Sequence, residues 1–257
     1  MDLQPLLEVA KVAAKKAAVE ILKIYESGDF SVEAKADDSP LTKADKASHL
    51  AIVAELKKTE LPILSEEGRD IPYEERKDWE YFWMIDPLDG TKEFIKQNGE
   101  FTVNIALIHQ NKPVLGVVQV PVQDKLYFSS QNEGAFLEDQ NGTRGISVNC
   151  FQQNDSGIKV VASRSHLNDE TQTYLDQLND PEIVSMGSSL KLLAVAEGKA
   201  DLYPRFAPTM EWDTAAAHAV VTEAGGKILI KNSNASVAYN KENLLNPHFL
   251  ATCSKSN

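Results

Sequence analysis

The sequence predicts a layered α/β protein, and three features of its pattern predict it. An amphipathic helix opens the chain, β-rich runs follow one another near its middle, and strand and helix patterns alternate through its second half. Hydrophobic residues make up 42% and charged residues 25% of the 257 residues, an ordinary composition for a folded soluble protein. That length suits one large α/β domain or two smaller ones.

Residues 3–26 place Leu7, Ala10, Ala14, Ala17, Ile21 and Ile24 at three- and four-residue spacing, with Lys11, Lys15 and Lys16 largely opposite. Gly28 supplies the stop. The same opening, broken by Glu8 and the lysines, lacks the apolar stretch and cleavage site of a secretion signal. A polar loop, KADDSP, precedes a second helix over 42–58. The short apolar PILS reads as a strand ending at Glu66 and Glu67, and the charged residues 69–80 read as a surface loop around Pro72. Residues 81–85 form the next strand, cut off by Asp86-Pro87. FTVNIALIH, PVLGVVQVPV and KLYFSS, with short turns between them, predict an antiparallel meander.

Residues 131–157 are rich in Asn, Gln, Gly and Asp, with Asn141-Gly142 as a hairpin turn. They mark a boundary between a first half, 1–150, and a second, 151–257, which together make one unit. In the second half KVVAS, EIVSM and ADLYPR read as strands. DETQTYLDQL, SLKLLAVAEG and TAAAHAVVTEAGG read as helices, the last closed by Gly225 and Gly226.

Acids outnumber bases 38 to 26, a net charge of −12, which argues against a nucleic-acid binder. A negative chain that handles phosphate needs a local source of positive charge, and bound cations provide one. No apolar run approaches the ~18 residues of a membrane helix. Two cysteines, Cys150 and Cys253, cannot make a disulfide framework, so a reducing cytoplasm is the expected compartment.

The chemistry concentrates in carboxylates. Asp86-Pro87-Leu88-Asp89-Gly90-Thr91 directly follows an apolar strand, so Asp86 and Asp89 lie on one tight turn and Gly90 frees the backbone to approach a ligand. Thr91 opens the KEFIK segment, where helix-start N–H groups suit a phosphate oxygen. A bare DxxDG is also a common surface turn. Glu66 ends another apolar run, and Asp213 starts the Ala-rich helix, where an N-cap is the plainer role. Gathered in one cleft, Glu66, Asp86, Asp89 and Asp213 would repel each other unless cations lay between them. With no Cys or His beside them, all-oxygen ligation points to Mg²⁺ rather than zinc.

SEE at 65–67, DPLDGTKEF at 86–94 and WDTAAAHAVVTEAGG at 212–226 resemble the signatures of the inositol monophosphatase superfamily of Mg²⁺-dependent, lithium-sensitive phosphatases. SPLTKAD at 39–45, GEFTVNIALI at 99–108, SRSH at 163–166, GSSLK at 187–191 and AEGKADLYPR at 196–205 resemble its 3'(2'),5'-bisphosphate nucleotidase branch. Lys92-Glu93 after the DGT also favours that branch over the inositol enzymes. The motifs run in order over essentially the whole chain.

The resemblance implies an α-β-α-β-α sandwich of the inositol monophosphatase and fructose-1,6-bisphosphatase type. It implies hydrolysis of adenosine 3',5'-bisphosphate to AMP and phosphate, with the 5'-phosphosulfate as a further substrate. Two or three Mg²⁺ ions are implied, held by Glu66, Asp86, the Leu88 carbonyl, Asp89 and Asp213. Asp45 and Thr91 match the pair that activates water, with Glu66 beside them in the catalytic set. Glu66, Leu88, Asp89, Gly90, Thr91 and Asp213 would also face the substrate, while Ser163, His166, Gly187 and Lys191 would hold its nucleotide portion. The relatives' peripheral association with the inner membrane has no counterpart here in a lipid anchor or basic amphipathic helix.

Arg205 is a further anion contact on this reading. His218, inside an Ala/Val helix, reads as a packed core residue, and Ala217, where relatives often carry Gly, bears on helix packing. Two rival functions remain: an inositol or sugar monophosphatase of the same fold, and a non-catalytic metal- or anion-binding module. Lys92-Glu93 and the SRSH and GSSLK pair count against the first. The complete set Asp45, Glu66, Asp86, Asp89, Thr91 and Asp213 counts against the second.

Overall fold

A computed structural model of the chain describes residues 1–34, 40–68, 70–152, 154–162 and 168–253. Helix α1 (Gln4–Ser27) ends where Gly28 turns left-handed at φ 71°. Its buried stripe is mostly alanine, Ala10, Ala13, Ala14, Ala17 and Ala18, so α2 (Lys43–Leu56) approaches closely. Between them β1 (Glu33–Ala34) pairs antiparallel with β2 (Pro40–Leu41).

The first sheet has seven strands in chain order. They are β3 (Ile63–Ser65), β4 (Tyr81–Asp89), β5 (Thr102–His109), β6 (Lys112–Val120), β7 (Lys125–Ser130), β8 (Ala135–Asp139) and β9 (Gly142–Ile146). β3 runs parallel to β4 and the remaining neighbours pair antiparallel, so the predicted meander is present and longer than expected. β8 and β9 come from the stretch read as a boundary, and the chain leaves this sheet only after Ile146.

Two other expectations need correction. Residues 69–80 are not only surface loop: they include α3 (Tyr73–Arg76), and Arg76 is buried. Its guanidinium donates to Asn240 Oδ1 at 2.7 Å and to the Glu242 and Ile71 carbonyls, an anchor contributed by a distant segment. Strand β4 also continues past Ile85 through Asp86-Pro87 to Asp89, with α4 (Thr91–Ile95) next. Pro87 cannot donate to the ladder, and the register shifts between Asp86 and Asp89 so that pairing resumes.

The second sheet is mixed, in the order β11-β10-β12-β14-β13. β10 (Lys159–Ala162) is parallel to β11 (Glu182–Ser185) and β12 (Leu202–Arg205). β14 (Phe249–Cys253) is antiparallel to β12 and to β13 (Gly226–Ile230). The last two strands escaped the sequence reading. β13 begins at Gly226, which the sequence treats as a helix stop.

Helices fill the layers. α1 and α2 cover one face of the first sheet through Leu7, Ile21, Ile52, Trp83, Ile105 and Leu115. α6 (Leu190–Ala196) and α7 (Glu211–Glu223) lie between the sheets, and α5 (Asp169–Leu175) covers the far face with Leu175 on Val160 and Leu202. The order is α-β-α-β-α. α7 is apolar on most sides because both of its faces are covered, Ala215 to Val221 being buried. Gly116 makes that approach possible: a Cβ there would lie 2.1 Å from the Ala216 carbonyl oxygen.

Cys150 and Cys253 are joined by a disulfide with Cα atoms 5.1 Å apart, a pairing that cysteine counting did not anticipate. The fold supplies the reason, carrying the end of β14 back to the segment that leaves the first sheet. Among the described residues no helix is long and apolar enough to cross a membrane.

Candidate active site

The bulge at the end of β4 sets the centre of the site. Asp86 is buried, and its Oδ1 accepts the Leu88 N–H at 3.0 Å, which turns the chain. Leu88 puts its side chain into the core, while its carbonyl lies 3.3 Å from the Thr91 hydroxyl. Gly90 stands at φ 97°, and a Cβ on it would lie 3.0 Å from the Glu100 carbonyl oxygen. A larger residue would be strained twice over, by backbone angle and by contact.

Asp45, in the first turn of α2, reaches this loop. Its Oδ2 accepts the Thr42 N–H at 2.7 Å and the Thr42 hydroxyl at 2.6 Å, and its Oδ1 accepts the Thr91 hydroxyl at 3.2 Å. The pair expected from sequence is therefore in contact, with the carboxylate held from behind.

Glu66, at the end of β3, comes to the loop because its N–H donates to the Ile85 carbonyl at 3.2 Å. Its side chain adjoins the Asp86 carboxyl, whose pKa is raised well above the ordinary carboxylate range. Burial is the main cause, and the nearby charges of Glu66, Asp89 and Asp213 add to it. Asp213 is not the N-cap of α7 but its third residue, and its Oδ2 accepts the Met210 N–H at 2.9 Å. Burial, then the charge of Asp89, pushes it up to about 8 against the opposing Met210 hydrogen bond.

The four acids chosen from sequence are thus electrostatic neighbours. They do not form a finished cage: among the described residues no three such side chains close on one point. Asp89 and Asp213 each turn onto a backbone N–H instead. An all-oxygen set in which neighbouring carboxylates raise the pKa of Asp86 and of Asp213 suits a hard divalent cation.

A cleft of about 270 Å³ is lined by two of these acids, Asp89 and Asp213, and by Gly187, Lys191, Tyr203 and Arg205. Lys191 is buried rather than solvated, its Nζ donating to the Ser188 carbonyl at 2.7 Å. Burial holds its pKa down at about 8, with Arg205 lowering it further and Asp89, Glu93 and Glu100 opposing. Arg205 donates to the Pro208 carbonyl at 2.9 Å, and its Nε is buried with no hydrogen-bond partner among the described residues.

Ser163 and His166 lie outside the described residues. His218 is a core residue as expected: Tyr239 Oη is 2.7 Å from Nδ1, and burial pushes the ring down to about 4. Sequence reasoning missed Ser188 and Ser189 as partners of Asp89. The Ser188 hydroxyl and the Ser189 N–H, the latter at 2.6 Å, both donate to Asp89 Oδ2. Ser189 does not use its hydroxyl to cap α6 but turns it to Thr102 at 2.7 Å and Asn104 at 3.1 Å. The two-residue spacing of Thr102 and Asn104 in the FTVN run was the available signal.

A sequence model of the inositol monophosphatase family matches residues 2–253. The chain belongs to the inositol monophosphatase family. Among its family relatives, the 3'(2'),5'-bisphosphate nucleotidase CysQ of Salmonella typhimurium is 45% identical over 252 residues, covering 96% of this chain and 99% of that one. CysQ of Escherichia coli K12 is 46% identical over 241 residues, 92% of this chain and 95% of the relative. The crystal structure of CysQ from Bacteroides thetaiotaomicron, described as a bacterial member of the family, superposes with a TM-score of 0.88 at 45% identity, covering 98% of each chain. The SuhB protein of Bartonella henselae superposes at 0.77 with 26% identity, over 98% of this chain and 95% of its own.

Proposed function

We propose that this protein is a Mg²⁺-dependent phosphatase that removes the 3'-phosphate of adenosine 3',5'-bisphosphate, giving AMP and phosphate, and that it also accepts the 5'-phosphosulfate. The observation that supports the reading is the shared cleft: Asp89 and Asp213 of the acid cluster line it together with Lys191 and Arg205. Near-full-length similarity to proteins named as bisphosphate nucleotidases supports it.

Glu66, Asp86, the Leu88 carbonyl, Asp89 and Asp213 would hold two or three Mg²⁺ ions, and their all-oxygen chemistry fits that cation. Bound there, Mg²⁺ supplies positive charge to the phosphoryl oxygens and lowers the pKa of water. Thr91 donates its hydroxyl proton to Asp45, which leaves its oxygen free to accept a proton from an attacking water. Thr42 holds Asp45 in the orientation this requires. Lys191 and Arg205 supply cationic donors for the 5'-phosphate, and Gly187 gives the backbone of its turn close access to the cleft. Ser163 and His166 are proposed to contact the nucleoside. Fixed charges of this kind let a chain of net charge −12 take up a polyanion.

The test is phosphate release from a panel of nucleotides and inositol 1-phosphate, with Mg²⁺ titrated and lithium added. Adenosine 3',5'-bisphosphate is expected to turn over fastest, with chelator abolishing and lithium inhibiting release. Faster release from inositol 1-phosphate, or release undiminished in chelator, would overturn the reading.

A further inference from the structure

Glu100, the second residue of the GEFTVNIALI run, has no role in the proposed chemistry, yet it lines the cleft. A carboxylate facing a polyanionic substrate is unfavourable for binding by charge alone. Its contacts show what offsets that cost. Its Oε2 accepts the Gly187 N–H at 2.9 Å, and its backbone carbonyl packs against Gly90. A Cβ on Gly187 would lie 3.0 Å from that Oε2, and one on Gly90 3.0 Å from that carbonyl oxygen, so glycine at both positions lets Glu100 sit between the two loops.

The mount under Glu100 is rigid. Asn98 Oδ1 accepts its N–H at 2.9 Å. Its neighbour Phe101 is fully buried, with ring centroids 5.3 Å from Phe94 and 5.1 Å from Tyr25. On the far side, the turn that Glu100 holds continues into Ser188 and Ser189, the partners of Asp89, and then into Lys191.

We propose that Glu100 is a positioning residue, which ties the Gly187–Ser189 turn to the Asp89–Gly90 loop through the Gly187 N–H and so sets where the nucleotide is held. The proposal rests on the phosphatase reading for its kinetic consequence, not for its structural one. The carboxylate also favours the charged form of Lys191, in keeping with that role.

The experiment compares full-length wild type, Glu100→Ala and Glu100→Gln with Mg²⁺, on adenosine 3',5'-bisphosphate and on p-nitrophenyl phosphate, which has no nucleotide portion. Glu100→Ala is expected to raise KM for the bisphosphate about tenfold, with a much smaller change in kcat and with p-nitrophenyl phosphate turnover kept. Glu100→Gln, whose amide oxygen accepts the same N–H without charge, is expected to hold KM at or below wild type. Amide exchange in the peptide spanning 186–190 is expected to quicken in Glu100→Ala and not in Glu100→Gln. Wild-type KM and exchange in Glu100→Ala would overturn the proposal, as would equal loss on both substrates or a Glu100→Gln variant that behaves like Glu100→Ala. If wild type does not turn over the bisphosphate, the functional reading fails, and the exchange measurement still decides the role of Glu100.

Discussion

Thr91 Oγ1 donates to Asp45 Oδ1 at 3.2 Å, joining the start of α4 to the first turn of α2 across 46 positions. Asp45 is fixed from its other side by Thr42, so the hydroxyl meets a carboxylate that cannot swing away. Replacing Thr91 by Val removes the hydroxyl and keeps the shape. The expected outcome is a fall in kcat of about 10²–10⁴-fold with an unchanged melting temperature. Thr91→Ser should retain most activity, and steady-state kinetics at saturating Mg²⁺ checks both.

Asp86 combines burial with repulsion from Glu66, Asp89 and Asp213. An amide at this position has no charge to bury. Asp86→Asn should therefore stabilise the protein in chelator by on the order of 1 kcal/mol while abolishing phosphate release in Mg²⁺. Thermal unfolding in EDTA alongside the activity assay reads both effects, and a less stable Asp86→Asn protein would contradict the account.

Lys191 titrates at about 8, down from 10.5, because burial disfavours its charge. Between those two values the unfolded chain binds a proton that the folded chain has released, so this residue makes stability rise with pH across that window. Below it the folded chain carries the full cost of the buried charge. Binding runs the other way, since only the protonated amine pairs with a phosphate. KM for the bisphosphate is expected to climb above pH 8, and Lys191→Met should raise KM throughout and flatten that climb.

Gly116 faces α7, where an added Cβ would lie 2.1 Å from the Ala216 carbonyl oxygen and 2.8 Å from the Ala219 Cβ. Backbone cannot yield as a side-chain tip does, so Gly116→Ala should destabilise by about 1–3 kcal/mol. The displaced helix carries Asp213, so kcat should fall at temperatures where the fold persists. Circular dichroism melts and kinetics at low temperature separate the two.

The Cys150–Cys253 disulfide closes a span of 103 residues and anchors the end of β14. Cys150→Ser is expected to lower stability by about 2–5 kcal/mol in oxidising buffer. In dithiothreitol wild type and variant should melt alike. Activity should be little changed below the melting range, because Phe249, at the opposite end of β14, is the residue of that strand that lines the cleft.

Most helices and strands were legible because local periodicity defines them. The alanine stripe of α1, the three runs of β5 to β7 and the alternation from β10 to β12 each announce an element within a window of about ten residues. Where the sequence reading stopped short, the cause was distant. α3 owes its buried Arg76 to Asn240 and Glu242, and β13 needs β14 beside it, as β14 needs β12. The disulfide depends on where β14 ends, which no count of cysteines contains.

Composition and contiguous motifs determined the fold class, the acidic loops and the family, because those signals lie in runs of neighbouring residues and need no partner to be recognised. Only the tertiary structure decided that Asp89 is held by Ser188 and Ser189, that Lys191 is buried, and that Glu100 grips Gly187. Those contacts join residues 87 to 100 positions apart, and which donor reaches which acceptor is set by how two sheets pack on α6 and α7. Hydrogen bonds act over about 3 Å, so a chain this long specifies them only after its layers have closed.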